Sequence, residues 1–257
     1  MRHLLRDHFL DKNNLIENFK IKEMRILLVG LLLLASGEAF SQTAQDWFNR
    51  GSAKSNLGNF REAISDFDKV IQLDPNFEDA YYYRAMAKNS LQDYSGALID
   101  YDKVVELNPK YVQAFSNRAS IKSEMQDYEG AISDYNRVIE LNPNYADAYS
   151  NKGLAKIKLK DYEGAINDFN IALDLNPNYK AIYYDRGSAK SKLKDNEGAL
   201  ADYDKALEYF PNFFEAYYSR GFTKHRLGNT RGACSDWNKA LELGLESAAD
   251  PINTYCK

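Results

Sequence analysis

The chain is short of the residues on which most enzyme active sites depend. It has three histidines, His3, His8 and His225, and two of them fall within the first ten residues. No serine–histidine–acid set can be assembled without His225. Cysteine is scarcer still, with only Cys234 and Cys256. Two thiols and one imidazole are too few for a tetrahedral zinc site, which takes four ligands. The glycines stand singly rather than in a phosphate-cradling loop. Carboxylates are plentiful, but nothing singles out a glycosidase-type acid pair. Basic residues form no stripe of the kind nucleic acid requires, and the formal net charge is −4. The sequence therefore offers no catalytic set, no metal site and no cofactor site.

Proline is rare too, with six residues, yet five of them are evenly spaced. Pro75, Pro109, Pro143, Pro177 and Pro211 are separated by steps of 34 residues. A fixed period in this range is the mark of a stacked repeat. Other columns keep the same period. Ala63, Ala97, Ala131, Ala165, Ala199 and Ala233 are each followed four residues later by Phe67, Tyr101, Tyr135, Phe169, Tyr203 or Trp237. Three further on stand Val70, Val104, Val138, Ala172, Ala206 and Ala240. Spacings of four and three put these residues on one face of a helix. Upstream, Trp47, Tyr81, Phe115, Tyr149, Tyr183 and Tyr217 each precede a small residue by four: Gly51, Ala85, Ala119, Gly153, Gly187 and Gly221. A small side chain at a fixed helical site lets a second helix approach closely. Turns such as Leu57-Gly58-Asn59-Phe60 separate the two helices, and proline stops the second.

This two-helix unit of 34 residues closely resembles the tetratricopeptide repeat (TPR). Six copies span residues 44–77, 78–111, 112–145, 146–179, 180–213 and 214–246. The last departs from the pattern, with Gly244-Leu245 in place of the proline, as terminal capping repeats often do. The expected fold is all-α: about thirteen short helices in a right-handed superhelical solenoid over residues 42–246, closed by a capping segment at 247–257. There, Asp250-Pro251 fits a helix start with aspartate capping and proline in the first turn.

Residues 24–41 read differently. Met24-Arg25 leads an apolar run of ten, Ile26 to Ala35, followed by Ala39-Phe40-Ser41. This is the pattern of a secretory signal cleaved before Gln42, and the run is short for a membrane span of about 20 residues. An uncleaved anchor is the alternative. No cysteine follows the run, so a lipoprotein anchor is not expected. The charged residues 1–23 make an awkward lead; either translation starts at Met24 or the signal is long. Export to the periplasm or beyond, in an oxidising compartment, favours a Cys234–Cys256 disulfide. It would stabilise the fold by about 3 kcal/mol in the chain-entropy model. The alternative is a buried thiol at Cys234 and a frayed tail.

Three polar columns are equally regular. Arg50, Arg84, Arg118, Lys152, Arg186 and Arg220 form one, and Lys54, Lys88, Lys122, Lys156, Lys190 and Lys224 form the second, four residues on. Asp66, Asp100, Asp134, Asp168, Asp202 and Asp236 form the third, beside the packing aromatic. A carboxylate held there needs a partner, so a structural ladder of ion pairs is expected; anion binding is the functional alternative.

The resemblance implies a concave groove, lined by the first helix of each copy, that takes a peptide segment or a helix. The columns free of packing duty vary between copies and supply the candidate contacts: Asn49, Tyr82, Asn117, Asn151, Lys158, Tyr184, Lys192, Tyr218, Phe222 and Arg226. Groove asparagines in this family hydrogen-bond a peptide backbone, which implies that role for Asn49, Asn117 and Asn151. Phe48 and Ser52 occupy the places of the family's carboxylate clamp in the first copy, so that clamp is not expected. Charge turns basic toward the C-terminus through Lys158, Lys192 and Arg226, with Tyr184, Tyr218 and Phe222 nearby; this suits an acidic or C-terminal peptide segment. The expected function is a non-catalytic scaffold for a protein or peptide partner, with no nucleic acid and no membrane span in the mature chain. Self-assembly, and a small-ligand or glycan site among the tyrosines, are the competing readings.

Overall fold

The computed structural model describes residues 42–256. The leader expected at 1–23 and the signal expected at 24–41 lie outside the described residues. Six helical hairpins follow one another, and a short helix closes the chain. The hairpins are α1 (Ala44–Asn56) with α2 (Phe60–Leu73), α3 (Glu78–Ser90) with α4 (Tyr94–Leu107), and α5 (Val112–Glu124) with α6 (Tyr128–Leu141). Then come α7 (Ala146–Lys158) with α8 (Tyr162–Leu175), α9 (Ile182–Lys192) with α10 (Asn196–Tyr209), and α11 (Phe214–Arg226) with α12 (Thr230–Glu242). A 3-10 turn at Glu246–Ala248 leads into α13 (Ala249–Tyr255). Among the described residues there is no strand. Each helix packs on its successor, and the first helices of successive copies also touch, as α1 with α3 and α9 with α11. The first helices thus form the inner wall of a right-handed superhelical solenoid.

The hairpin turn is the same in every copy. In the first turn of this kind with a non-glycine residue, Gln92 N–H donates to Asn89 O and Asp93 N–H to Lys88 O. This pairing satisfies two carbonyls at the end of α3 and requires a left-handed residue at its centre. Gly58 and Gly228 fill that position in the first and last copies, with φ of 79° and 82°. Gln92, Gln126, Lys160 and Lys194 hold it in the others at φ of 63° to 65°, a conformation that costs an L-residue about 1–2 kcal/mol. The next residue then caps the second helix: Asp93, Asp127, Asp161, Asp195 and Asn229 each accept from the backbone N–H three residues on.

The alanine and aromatic columns make the core, one continuous strip rather than a central ball. Ala63, Phe67 and Val70 are fully buried, as are their equivalents through Ala233, Trp237 and Ala240. The small-residue column sits against the aromatic of its own hairpin. A Cβ on Gly221 would stand 2.5 Å from Trp237 Nε1, so the largest aromatic in the column faces a residue with no side chain.

The aspartates form the expected ladder. All six are buried, and each is ion-paired with both basic columns of its own copy. Arg118 donates from Nε and Nη2 to the two oxygens of Asp134, at 2.9 and 2.6 Å, and Lys122 Nζ donates at 2.8 Å. The arginine also reaches back one copy: Arg118 Nη1 meets Asp102 at 2.7 Å, Arg84 meets Asp68 at 2.6 Å and Arg220 meets Asp204 at 2.6 Å. Lys152 makes the weaker version, 3.0 Å from Asp168 and 3.3 Å from Asn136.

Two places depart from the pattern. The fifth copy starts its first helix at Ile182, two residues later than the period places it. Where the neighbouring copies bury Ala148 and Ala216, this copy buries Ile182. At the C-terminus, α13 begins two residues before the expected start, so Asp250 lies inside the helix rather than capping it. Ala248 stands in the cap position with near-helical backbone and no side-chain cap, because the 3-10 turn runs directly into the helix. Pro251 is buried within the first turn, where its missing N–H has no helical partner to lose. Cys234 of α12 and Cys256 are joined, with S–S at 2.07 Å.

Breaking one rung tests the ladder. Arg118→Ala should lower unfolding stability by about 3 kcal/mol, because it strips a buried carboxylate of its bidentate partner. Arg118→Lys should lose less, since Lys152 fills the same position naturally. Denaturant unfolding of the two variants checks this; equal midpoints for Arg118→Ala and the parent would show that the rung contributes nothing.

Candidate functional site

The concave wall is not uniformly open. The structure divides the ten candidate residues into two hollows, one internal pair and one outlier. The outlier is Asn49, exposed on α1, which accepts from Gln45 Nε2 at 2.9 Å. The internal pair is Tyr82 and Asn117. Asn117 Nδ2 donates to Tyr82 Oη at 3.1 Å and to Tyr101 Oη at 3.2 Å. Tyr82 also stacks on Tyr111, with centroids 4.9 Å apart. Both amide hydrogens of Asn117 are thus engaged across the seam between copies 2 and 3.

The first hollow lies between copies 3 and 4 and measures about 390 Å³. Asn151 and Lys158 line it, together with Ser120, Glu124 and Tyr135. Its walls are mixed in charge, with Glu124 facing the same space as Lys158.

The second hollow lies between copies 5 and 6 and brings together half of the candidate set. Tyr184, Lys192, Tyr218, Phe222 and Arg226 line about 290 Å³ with Ser188 and Ser191. The rings hold one another: Tyr218 meets Phe222 edge-on at 5.0 Å, and Phe222 meets the buried Trp237 at 5.0 Å. Arg226 Nη1 donates to Ser191 Oγ at 2.8 Å, which fixes the guanidinium over the gap between α9 and α11. Lys194, Lys192 and Arg226 continue into an adjoining hollow of about 370 Å³. Three cations beside three aromatic rings can hold an anion and an apolar stem together.

Next to this lies a feature that sequence reasoning did not single out. The loop after α10 and the start of α9 enclose about 780 Å³, walled by Ala181, Tyr184, Tyr209, Phe210 and Phe213, with Asp185 among them. Burial pushes the Asp185 carboxyl up to about 6; the field of Lys158 opposes this and does not cancel it. One signal in the sequence could have found it. Asp185 is the only charged residue in its column, which otherwise reads Asn49, Tyr83, Asn117, Asn151 and Ser219. Groups of histidine, cysteine and acidic residues suited to a metal ion are absent among the described residues.

With this geometry in place, comparison with known proteins is direct. Family models described as "TPR repeat" match residues 120–160 and 187–228, and others described as "Tetratricopeptide repeat" match 44–77, 79–111 and 146–179. The chain belongs to the tetratricopeptide-repeat family, a family of protein-interaction scaffolds that are generally not catalytic. The fold is similar to that of MamA, at 25% identity over 64% of this chain and 96% of that one, with a TM-score of 0.61. It is similar to YrrB, described as a TPR protein with an unusual peptide-binding site, at 21% identity over 73% and 97%, TM-score 0.66. It is also similar to PilF of Pseudomonas aeruginosa, at 17% identity over 82% and 96%, TM-score 0.67. No curated protein matches the chain in sequence.

Asp185 gives a measurable pH effect. Its folded-state value lies above the unfolded one, so ionisation disfavours the fold. The penalty is absent below pH 4, grows between about 4 and 6, and is complete above 6. Asp185→Asn should therefore raise stability at pH 7.5 by about 2 kcal/mol, and the gain should shrink as pH falls from 6 to 4. Melting curves of both proteins across this range check it; a gain that stays constant with pH would contradict it.

Proposed function

We propose that this protein is an exported, non-catalytic adaptor that holds an acidic or C-terminal peptide segment of an envelope or secreted protein in its concave groove at copies 5 and 6. The convergence of Tyr184, Lys192, Tyr218, Phe222 and Arg226 on one hollow carries this reading. A carboxylate entering there meets Arg226, already oriented by Ser191, with Lys192 and Lys194 alongside, while its neighbouring side chains lie on the rings of Tyr218 and Phe222. A peptide-binding site is a use of this fold in YrrB, which lends the reading some support.

Crosslinking capture from a native envelope extract tests the groove. The full chain should retain a partner that is lost at about 0.5 M salt, where the Debye length falls well below 10 Å, and lost again from a folded Tyr184→Ala, Lys192→Glu, Tyr218→Ala variant. Capture that is indifferent to both changes would move the interface to the convex face or the solenoid ends. Capture of the bait alone would favour self-assembly.

Export is supported by the signal-like run at residues 24–41 and by the Cys234–Cys256 bond, since disulfides persist in oxidising compartments. The expected product in cells is a mature chain beginning at Gln42 with one disulfide, read by intact mass with and without reductant. A cytoplasmic product that retains residues 24–41 with two free thiols would refute export.

A further inference from the structure

The aromatic hollow around Asp185 breaks the repeat pattern at several positions at once, and the breaks share one chemistry. At the seam between copies 2 and 3, Tyr111 Oη donates to Asp79 Oδ1 at 2.8 Å and closes the wall. The equivalent residues between copies 5 and 6 are Phe213 and Ala181, which can make no such bond. In four other copies the residue ending the second helix is Asp74, Asn108, Asn142 or Asn176, and each accepts from its own loop N–H two residues on, at 3.0 to 3.2 Å. Here that residue is Phe210, which is 42% exposed. Polar closures have thus been replaced by rings, and Tyr184 packs on Phe213 with centroids 4.7 Å apart.

Into this apolar setting the chain places a carboxylate. The same column carries neutral amides in copies 1, 3 and 4. Among the described residues, Asp185 has no cation within ion-pair distance and no side-chain hydrogen bond. The contrast with the six ladder aspartates is sharp, since each of those has two cations of its own copy within 3.0 Å. The field of Lys158 reaches Asp185 without an ion pair, while Lys180 and Lys205 lie over the Tyr209 ring at 4.8 and 5.1 Å, and Lys205 has Glu208 as its own counter-ion.

We infer that this hollow is a subsite for an arginine or lysine side chain of the bound peptide, with Asp185 taking the cationic head and Tyr184, Phe210 and Phe213 taking the methylene stem. Basic side chains join an apolar stem to a charged head, and a cation beside ring faces gains further attraction. The inference rests on the groove reading above and makes it more specific. Tyr184 lines both this hollow and the basic one, so the two subsites meet across a single ring. The peptide that fits both carries opposite charges on either side of Tyr184: a basic residue toward Asp185, and an acidic residue or free carboxylate toward Lys192 and Arg226.

A random peptide library displayed on phage and panned against the full chain at pH 7.5 tests this. Parallel selections use Asp185→Asn and Lys192→Glu, with melting curves confirming that each variant is folded. In the parent selection, arginine or lysine should be enriched at one fixed position, and acid at another. Asp185→Asn should return the basic position to library frequency while the acidic one persists. A selected peptide remade with norleucine for its basic residue should bind the parent about tenfold more weakly, as expected for losing a partly desolvated charge pair, and should bind Asp185→Asn as well as the original does. Binders whose acidic residue depends on Lys192, but with no basic position that depends on Asp185, overturn this inference and leave the groove reading standing. A library that returns no binder to the groove overturns both.

Discussion

Each repeat is organised around one buried aspartate. Its position is dictated by the helix: one residue before the packing aromatic, it borders the apolar face and is carried out of water when that face is covered. A lone carboxylate there would be costly, and the fold answers with two cations from the first helix of the same hairpin, four residues apart and so on one face. The pairing sets how the two helices align, because only one register brings Arg118 and Lys122 onto Asp134 together. The arginine has a further donor to use, and its reach to the preceding copy fixes the neighbouring hairpin as well. Ion pairs of this kind contribute more to register than to net stability. In a solenoid, whose copies touch only their neighbours, register is what turns a string of hairpins into a surface of definite curvature.

Regularity of that kind makes departures meaningful. The seam between copies 5 and 6 keeps the ladder intact through Arg186, Asp202, Arg220 and Asp236, so its altered walls are not a failure of the repeat. Ile182 stands where the neighbouring copies bury alanine, Phe213 and Ala181 replace a hydrogen-bonded clasp, and Phe210 replaces a loop-closing acid or amide. The rigid columns hold the hairpins in place while the free columns change, and the two charged hollows on either side of Tyr184 are the outcome.

Much of this was legible in the sequence, because a packed column must repeat with the period. The helices, the turn between them, the alanine and aromatic core and the ladder all follow from residues within one 34-residue unit, and each is seen six times. The groove is different. Its hollows form between copies, and which free residues meet depends on the rotation from one hairpin to the next. Asn117 illustrates the point: its column suggests a peptide contact, and the phenols that take its amide hydrogens, Tyr82 and Tyr101, both belong to the preceding copy. Asp185 illustrates the converse, since its departure from a column of mostly amides was visible, whereas the rings of residues 209–213 that surround it belong to a loop more than twenty residues later. The start of α13 was misjudged for a local reason: the 3-10 turn before it already has near-helical backbone, so no extended capping residue is needed.

The C-terminal cap bears on the groove through a chain of contacts. Trp237 closes the core of the last hairpin, and on one side its ring meets Phe222 of the basic hollow. On the other it meets Tyr255 of α13 at 5.8 Å, which in turn lies 4.4 Å from His225. α13 thus packs through Tyr255 on the ring that fills the core of the sixth hairpin. The Cys234–Cys256 bond ties this seven-residue helix to α12, and a helix of that length has little stability of its own. The disulfide therefore holds in place the cap that backs Trp237, and Trp237 backs the ring of Phe222. The wall of the basic hollow is thus supported from behind by a covalent link that joins α12 to the last described residue, Cys256.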